Sequence, residues 1–199
     1  MKKSLIIFLA LLSFIYKMNG QNYIGGGLNV GYRTTGFYLD YLFLKRFELQ
    51  IGNEFIRYNG FGAFAQLRGY VYKTNTDNRS VYLSCAINQS FQHTMLILYN
   101  DVFYKYKFND NYYIIPGVGY KFSNSNNKNS FLKYGYTCIN VNYRFNMMKN
   151  EMYRFIDTNT PNPDVEKNIS NYLKGGIGVY LSIGVSLGRK SKEEKRYER

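Results

Sequence analysis

From residue 23 to residue 188 the chain alternates: strand-length segments place apolar side chains at every second position and small or polar ones between them. A period of two marks β-strands with two unlike faces. In 23–33, Ile24, Leu28, Val30 and Tyr32 oppose Gly25, Gly27, Asn29, Gly31 and Arg33. The pattern continues through 37–44, where Phe37, Leu39, Tyr41 and Phe43 oppose Asp40, and 47–55, where Phe47, Leu49 and Ile51 oppose Glu48, Gln50, Gly52 and Glu54. It recurs in 61–72, 81–88, 98–108, 112–122 and 133–146, and is cleanest in 175–188, where Ile177, Val179, Leu181, Ile183, Val185 and Leu187 alternate with Gly, Tyr and Ser.

These nine segments predict an all-β fold: an antiparallel up-and-down transmembrane β-barrel with the aliphatic face outward. Such barrels normally have an even strand number. Residues 152–156 make a tenth strand, or one weak segment drops out to leave eight. Turns are expected at Thr34-Thr35-Gly36, Lys45-Arg46, 73–80, Asn109-Asp110-Asn111 and the low-complexity 123–130, SNSNNKNS. Within 147–174 the pattern lapses. There Asp164, after Pro163, is read as the cap of one short helix over 164–173 carrying Val165, Ile169, Tyr172 and Leu173 on one face.

The N-terminus sets the compartment. Met1-Lys2-Lys3, an apolar run over 5–16 and then Lys17 and Asn19-Gly20 read as a secretory signal peptide, since the run falls short of the roughly 20 residues a spanning helix needs. The expected organisation is a leader at 1–20, a barrel at 21–188 and a charged tail at 189–199, in the outer membrane of a Gram-negative envelope. A mean hydropathy of −0.37 does not oppose this, because alternation hides a barrel from any average. A soluble exported lipocalin-like barrel is the rival fold; it requires Ile177, Val179, Leu181 and Ile183 to point into a core.

Together the leader, the alternating strands and the terminal YLSIGVSLG resemble the small outer-membrane barrels related to the OmpA membrane domain, particularly those of Bacteroidetes-type bacteria. The resemblance is one of pattern over the mature chain, and implies a monomeric barrel inserted by the barrel assembly machinery. Such barrels commonly end on an aromatic residue, whereas here Leu187-Gly188 precedes charges.

Charge then narrows the partners. The chain carries +13, of which Lys2, Lys3 and Lys17 contribute three, leaving +10 on the mature part. That excess favours anionic surfaces. Outer-membrane lipid and lipopolysaccharide are the expected partners, any surface ligand is unspecified, and export argues against nucleic acid. With 22 Tyr, 15 Phe and no Trp, the tyrosines near segment ends (Tyr23, Tyr32, Tyr58, Tyr72, Tyr99, Tyr112, Tyr113 and Tyr134) suit interfacial girdles.

Candidate chemistry is sparse. Inward charges (Asp40, Glu48 and Glu54 against Arg33, Arg68, Lys105, Lys107, Lys121 and Arg144) should pair in a narrow lumen, where an isolated charge is costly. The site read from the sequence is therefore a lumen network of Asp40, Glu48, Glu54, Arg33, Arg68, Lys121 and Arg144, plugging a non-enzymatic barrel with a structural, envelope-stability or surface-interaction role. A small anion-favouring channel is the first alternative. A lipid A-modifying enzyme built on His93, the sole histidine, with Ser90 nearby is the second. No cofactor or metal is expected, because one His and two separated Cys make no ligand cluster. Cys85 falls on the outward phase and Cys138 on the inward, too divergent to bridge.

Overall fold

The computed structural model describes residues 23–31, 34–43, 46–57, 60–73, 79–123, 135–148, 152–158 and 160–188. The expected leader, the tail and Arg33 lie outside the described residues.

Eight strands close on themselves in antiparallel fashion: β1 (Tyr23–Gly31), β2 (Thr34–Phe43), β3 (Phe47–Ile56), β4 (Gly60–Lys73), β5 (Arg79–Ser90), β8 (Asn111–Ser123), β9 (Gly135–Asn146) and β11 (Gly175–Gly188). β1 completes the circle by pairing with both β2 and β11, Leu28 standing opposite Phe37 on one side and Ile183 on the other. Closure leaves no edge among these strands. Their period of two sorts every side chain. Ile177 is 69% exposed and Leu39 61%, whereas Glu48 and Asn88 are fully enclosed and Arg68 is 1% exposed. The barrel is thus polar inside and apolar outside, the reverse of what a lipocalin-like core requires.

The remaining strands form a second sheet, β6 (His93–Tyr99), β7 (Val102–Phe108) and β10 (Tyr153–Phe155), in the order β10-β7-β6. Here three expectations are corrected. Residues 98–108 are not a barrel strand, because Asn100 (φ 48°) and Asp101 (φ 60°) turn the chain back inside that segment. Positive φ at both central residues is the hairpin geometry that Asn and Asp tolerate best after glycine. The strand at 152–156 belongs to this second sheet and not to the barrel, so the barrel count is eight. Thr34, Thr35 and Gly36 are strand, paired with Ile56, Phe55 and Glu54, and not turn.

One helix, α1 (Pro163–Leu173), covers one face of the second sheet. Val165, Ile169 and Leu173 recur every four residues and are buried against Tyr106 and Phe108. Its N-cap is Asn162 and not Asp164: the Asn162 side chain accepts the backbone N–H groups of Asp164 and Val165, leaving Pro163 in the first turn, where no N–H is needed. Gly175 (φ 108°) and Gly176 (φ 136°) then turn the chain into β11, a conformation few other residues adopt.

Both insertions rise from one mouth. The β5–β8 connection supplies β6 and β7, and the β9–β11 connection supplies β10 and α1, so sheet and helix form a crown over that end. Tyr23 and Gly188, together with Ser123 and Gly135, lie at the opposite mouth. Residues 124–130 of the expected low-complexity turn lie outside the described residues.

Candidate functional site

Two places concentrate polar chemistry: the lumen and the base of the crown. In the lumen half nearer Tyr23 and Gly188, Glu48 is the hub. Its Oε1 accepts from Arg68 Nη1 at 2.8 Å, and its Oε2 accepts from Lys121 Nζ at 2.7 Å and from the Tyr70 hydroxyl at 2.6 Å. Arg68 Nε donates to Gln66 Oε1 (3.0 Å) and Nη2 to Gln50 Oε1 (2.9 Å), and the guanidinium lies 4.9 Å from the centroid of the Tyr82 ring. Lys121 sits 4.0 Å from the Tyr136 ring centroid, and the Tyr136 hydroxyl donates to Asp40.

Towards the crown a second cluster forms. Asn88 Nδ2 donates to Glu54 Oε1 at 2.6 Å, Arg144 Nη2 lies 3.6 Å from the same oxygen and 3.3 Å from Asn88 Oδ1, and the guanidinium stacks 4.5 Å from the Tyr113 ring centroid. Between the clusters lies a cavity of about 40 Å³ bounded by Phe64, Ala86, Ile115, Asn140 and Ser182. That is room for roughly two or three waters. Among the described residues the buried lumen charges are three carboxylates (Asp40, Glu48, Glu54) and three cations (Arg68, Lys121, Arg144), which cancel.

Lys105 and Lys107, read from the sequence as inward, are instead on β7 in the crown, outside the lumen. Tyr113, assigned to a girdle, is 1% exposed and lines the lumen; Tyr72 and Tyr112 do face outward. Sequence reasoning missed Gln50, Gln66, Tyr70, Tyr82, Asn88 and Tyr136 as members of the network. Gln50, Gln66, Tyr70 and Tyr136 share the inward phase of a charge on their own strand, whereas Tyr82 and Asn88 lie on β5, which has no inward charge to mark them.

The crown is tied down by two asparagines. Asn146 Nδ2 donates to the Leu173 carbonyl at 2.8 Å and to Asn111 Oδ1 at 3.2 Å; Asn111 Nδ2 donates to the Asn109 carbonyl at 2.9 Å. The C-terminus of α1 is thereby fastened to the mouth. At its other end the Tyr99 hydroxyl donates to Asp164 Oδ2 at 3.3 Å, and that carboxylate raises the phenol's pKa. Burial, reinforced by Glu166, pushes Tyr106 up to about 12.

The enzymatic alternative finds no assembled pair here. The His93 ring stacks on Phe108 (centroids 4.9 Å apart) with Nδ1 3.1 Å from the Phe91 carbonyl, while Ser90 Oγ donates to the Asn111 carbonyl at 3.4 Å. Cys85 is exposed and Cys138 buried, both as free thiols. Among the described residues no three His, Cys, Asp or Glu side chains are grouped as metal ligands.

No family model matches the chain, and no curated protein does. Among solved structures it is similar to CarO of Acinetobacter baumannii at 12% identity and a TM-score of 0.35, over 81% of this chain and 96% of that one. So loose a likeness carries no weight for function, and the barrel stands on its own strand register.

Proposed function

We propose that this chain is an exported outer-membrane β-barrel, closed by its own side chains and non-enzymatic, that presents the crown at the cell surface for envelope or surface interactions. The observation that carries the membrane assignment is the inverted barrel: an aliphatic exterior around buried charges. In water such an exterior is unfavourable, by roughly 25 cal/mol per Å² of apolar surface left exposed. In lipid it is the required surface, and barrel strands of 9 to 14 residues meet the 9–11 that a tilted crossing needs. Barrels of this type keep both termini in the periplasm, which turns the crown outward.

Closure is supported by charge balance and filling. Eight-stranded barrels leave an interior just wide enough for side chains, and here the Glu48–Lys121 and Glu54–Arg144 ion pairs cross it. A neutral, occupied lumen offers no basis for anion selectivity. The test is reconstitution into neutral lipid vesicles and a planar bilayer. Heat-modifiable gel mobility without stepwise conductance is the expected result. Release as a soluble periplasmic protein would overturn the membrane assignment; steady single-channel currents would replace the closed barrel by a channel.

A further inference from the structure

We infer that the bare face of the crown sheet is a docking surface for phosphate-bearing lipid headgroups of the leaflet it stands over. This rests on the proposed membrane function.

The sheet's placement follows from chain continuity. β6 and β7 resume directly from β5 and β8 after breaks of two residues each, Phe91-Gln92 and Asn109-Asp110. The hairpin therefore extends the barrel wall by roughly 20 Å at about 3.4 Å per residue. Its covered face bears Tyr106, Phe108 and α1, and the α1 terminus is fastened to the mouth through Asn146, so that face turns to the barrel axis. The other face points away from the axis because the side-chain phase reverses at each break: Ile87 and Gln89 of β5 share their parity with the covered Met95 and Ile97, and Tyr112 and Ile114 of β8 with the covered Tyr106 and Phe108.

On that outer face the register concentrates cations. Alternation puts Lys105 and Lys107 on it, opposite in phase to the buried Tyr106 and Phe108, and Arg154 joins them because its neighbours Tyr153 and Phe155 pack inward. Arg154 is directly opposite Lys107, and Thr94 flanks Lys107 on the other side. Two like charges directly opposite on adjacent strands, with Cβ atoms about 5 Å apart, repel and destabilise the pair. No described carboxylate forms an ion pair with any of the three. Asp157 and Asp110 are nearby, but their carboxylates accept the backbone N–H groups of Lys105 and Gln92. A bound anion is what would relieve Lys107 against Arg154.

The anion's chemistry follows from what surrounds it. Leu96 (60% exposed), Leu98 and Phe103 share the cationic face, so the occupant is an amphiphile whose phosphate meets the cations. The excess of +10 on the mature chain has the same sign.

The test uses the full mature protein, first inserted into neutral vesicles and checked by heat-modifiable mobility, then titrated in neutral micelles with lipid A. Near an anionic surface each cation contributes a factor of roughly five in affinity, so Lys105→Gln, Lys107→Gln and Arg154→Gln together should weaken binding about a hundredfold. Lys107→Glu alone should weaken it by at least fivefold, and rising salt should erode wild-type binding. Arg46→Gln, removing an exposed cation at the opposite mouth, should leave it unchanged. Undiminished binding by the triple variant overturns the inference. So does equal affinity for inorganic phosphate, for dephosphorylated lipid A or for an acidic peptide. Failure to insert into neutral vesicles sinks the proposed membrane function instead, and the two failures are read separately.

Discussion

Arg68 Nη1 meets Glu48 Oε1 at 2.8 Å across adjacent strands, in direct register, with both side chains closed off from solvent. Because Lys121 binds the other Glu48 oxygen, one carboxylate holds two buried cations. Deleting its charge strands both.

Glu48→Gln should therefore destabilise the folded barrel by about 3–5 kcal/mol, the range for removing one partner of a buried pair. The measurement is urea unfolding from vesicles, followed by heat-modifiable mobility. Glu48→Gln combined with Lys121→Met should cost less than the sum of the two single changes, since the residues share one network. Additive losses would mean the hub is not coupled.

A charge on the exterior separates lipid from water. Val141→Arg in β9 and Leu39→Arg in β2, both outward and near strand centres, should each cost about 2–4 kcal/mol in vesicles if hydrocarbon surrounds them. On a water-facing wall the same changes should fall within about 0.5 kcal/mol of neutral. Equilibrium unfolding of the two variants decides.

The two faces of the wall differ in how they tolerate a Cβ, Gly27 standing on the inward phase and Gly69 on the outward. A Cβ at Gly27 would collide with the Ile183 backbone carbonyl, which cannot move without disturbing the β1–β11 register, whereas at Gly69 it would meet only the Phe47 ring at 3.7 Å. Gly27→Ala should cost about 1–3 kcal/mol, as overpacking does, and Gly69→Ala should be near neutral. Comparing unfolding midpoints of the two variants checks the contrast.

How much of this was legible in the sequence depended on period. Strict alternation assigned Asp40, Glu48, Glu54, Arg68, Lys121 and Arg144 to the inward phase, because a period of two leaves only two faces. It could not say which sheet a strand joins. Lys105 and Lys107 alternate in β7 as they would in a barrel strand, and the turn at Asn100-Asp101 was hidden inside what looked like one continuous segment. The helix was legible from the four-residue spacing of Val165, Ile169 and Leu173 after a proline. Its seat over the mouth was not, since Asn146 and Asn111 are separated by 35 positions and signal nothing alone.

That same turn makes the crown separately testable. Asn100→Val places a β-branched residue at φ 48°, where it is strained by about 1–3 kcal/mol, while Asn100→Gly is free of strain. Hydrogen exchange in β6 and β7 should accelerate in the first variant and not in the second, with the eight barrel strands unaffected in both.

Alkaline pH should loosen the crown through Tyr106. Its side chain is closed off beneath α1, its hydroxyl has no hydrogen-bond partner among the described residues, and burial raises its pKa to about 12, against about 10 for a free phenol. A raised pKa means the fold retains a proton the unfolded chain has already lost. Stability from this group is thus complete below about pH 10 and declines as pH climbs towards 12. Tyr106→Phe keeps the ring against Tyr153 and Phe155 while removing both the titration and the unpartnered hydroxyl. It should be neutral or mildly stabilising at pH 7, and should reduce the alkaline rise of hydrogen exchange in β7. The slope will not vanish, because Tyr99 and Tyr153 also titrate above their ordinary values. An unchanged alkaline profile in the variant would place the sensitivity elsewhere in the crown.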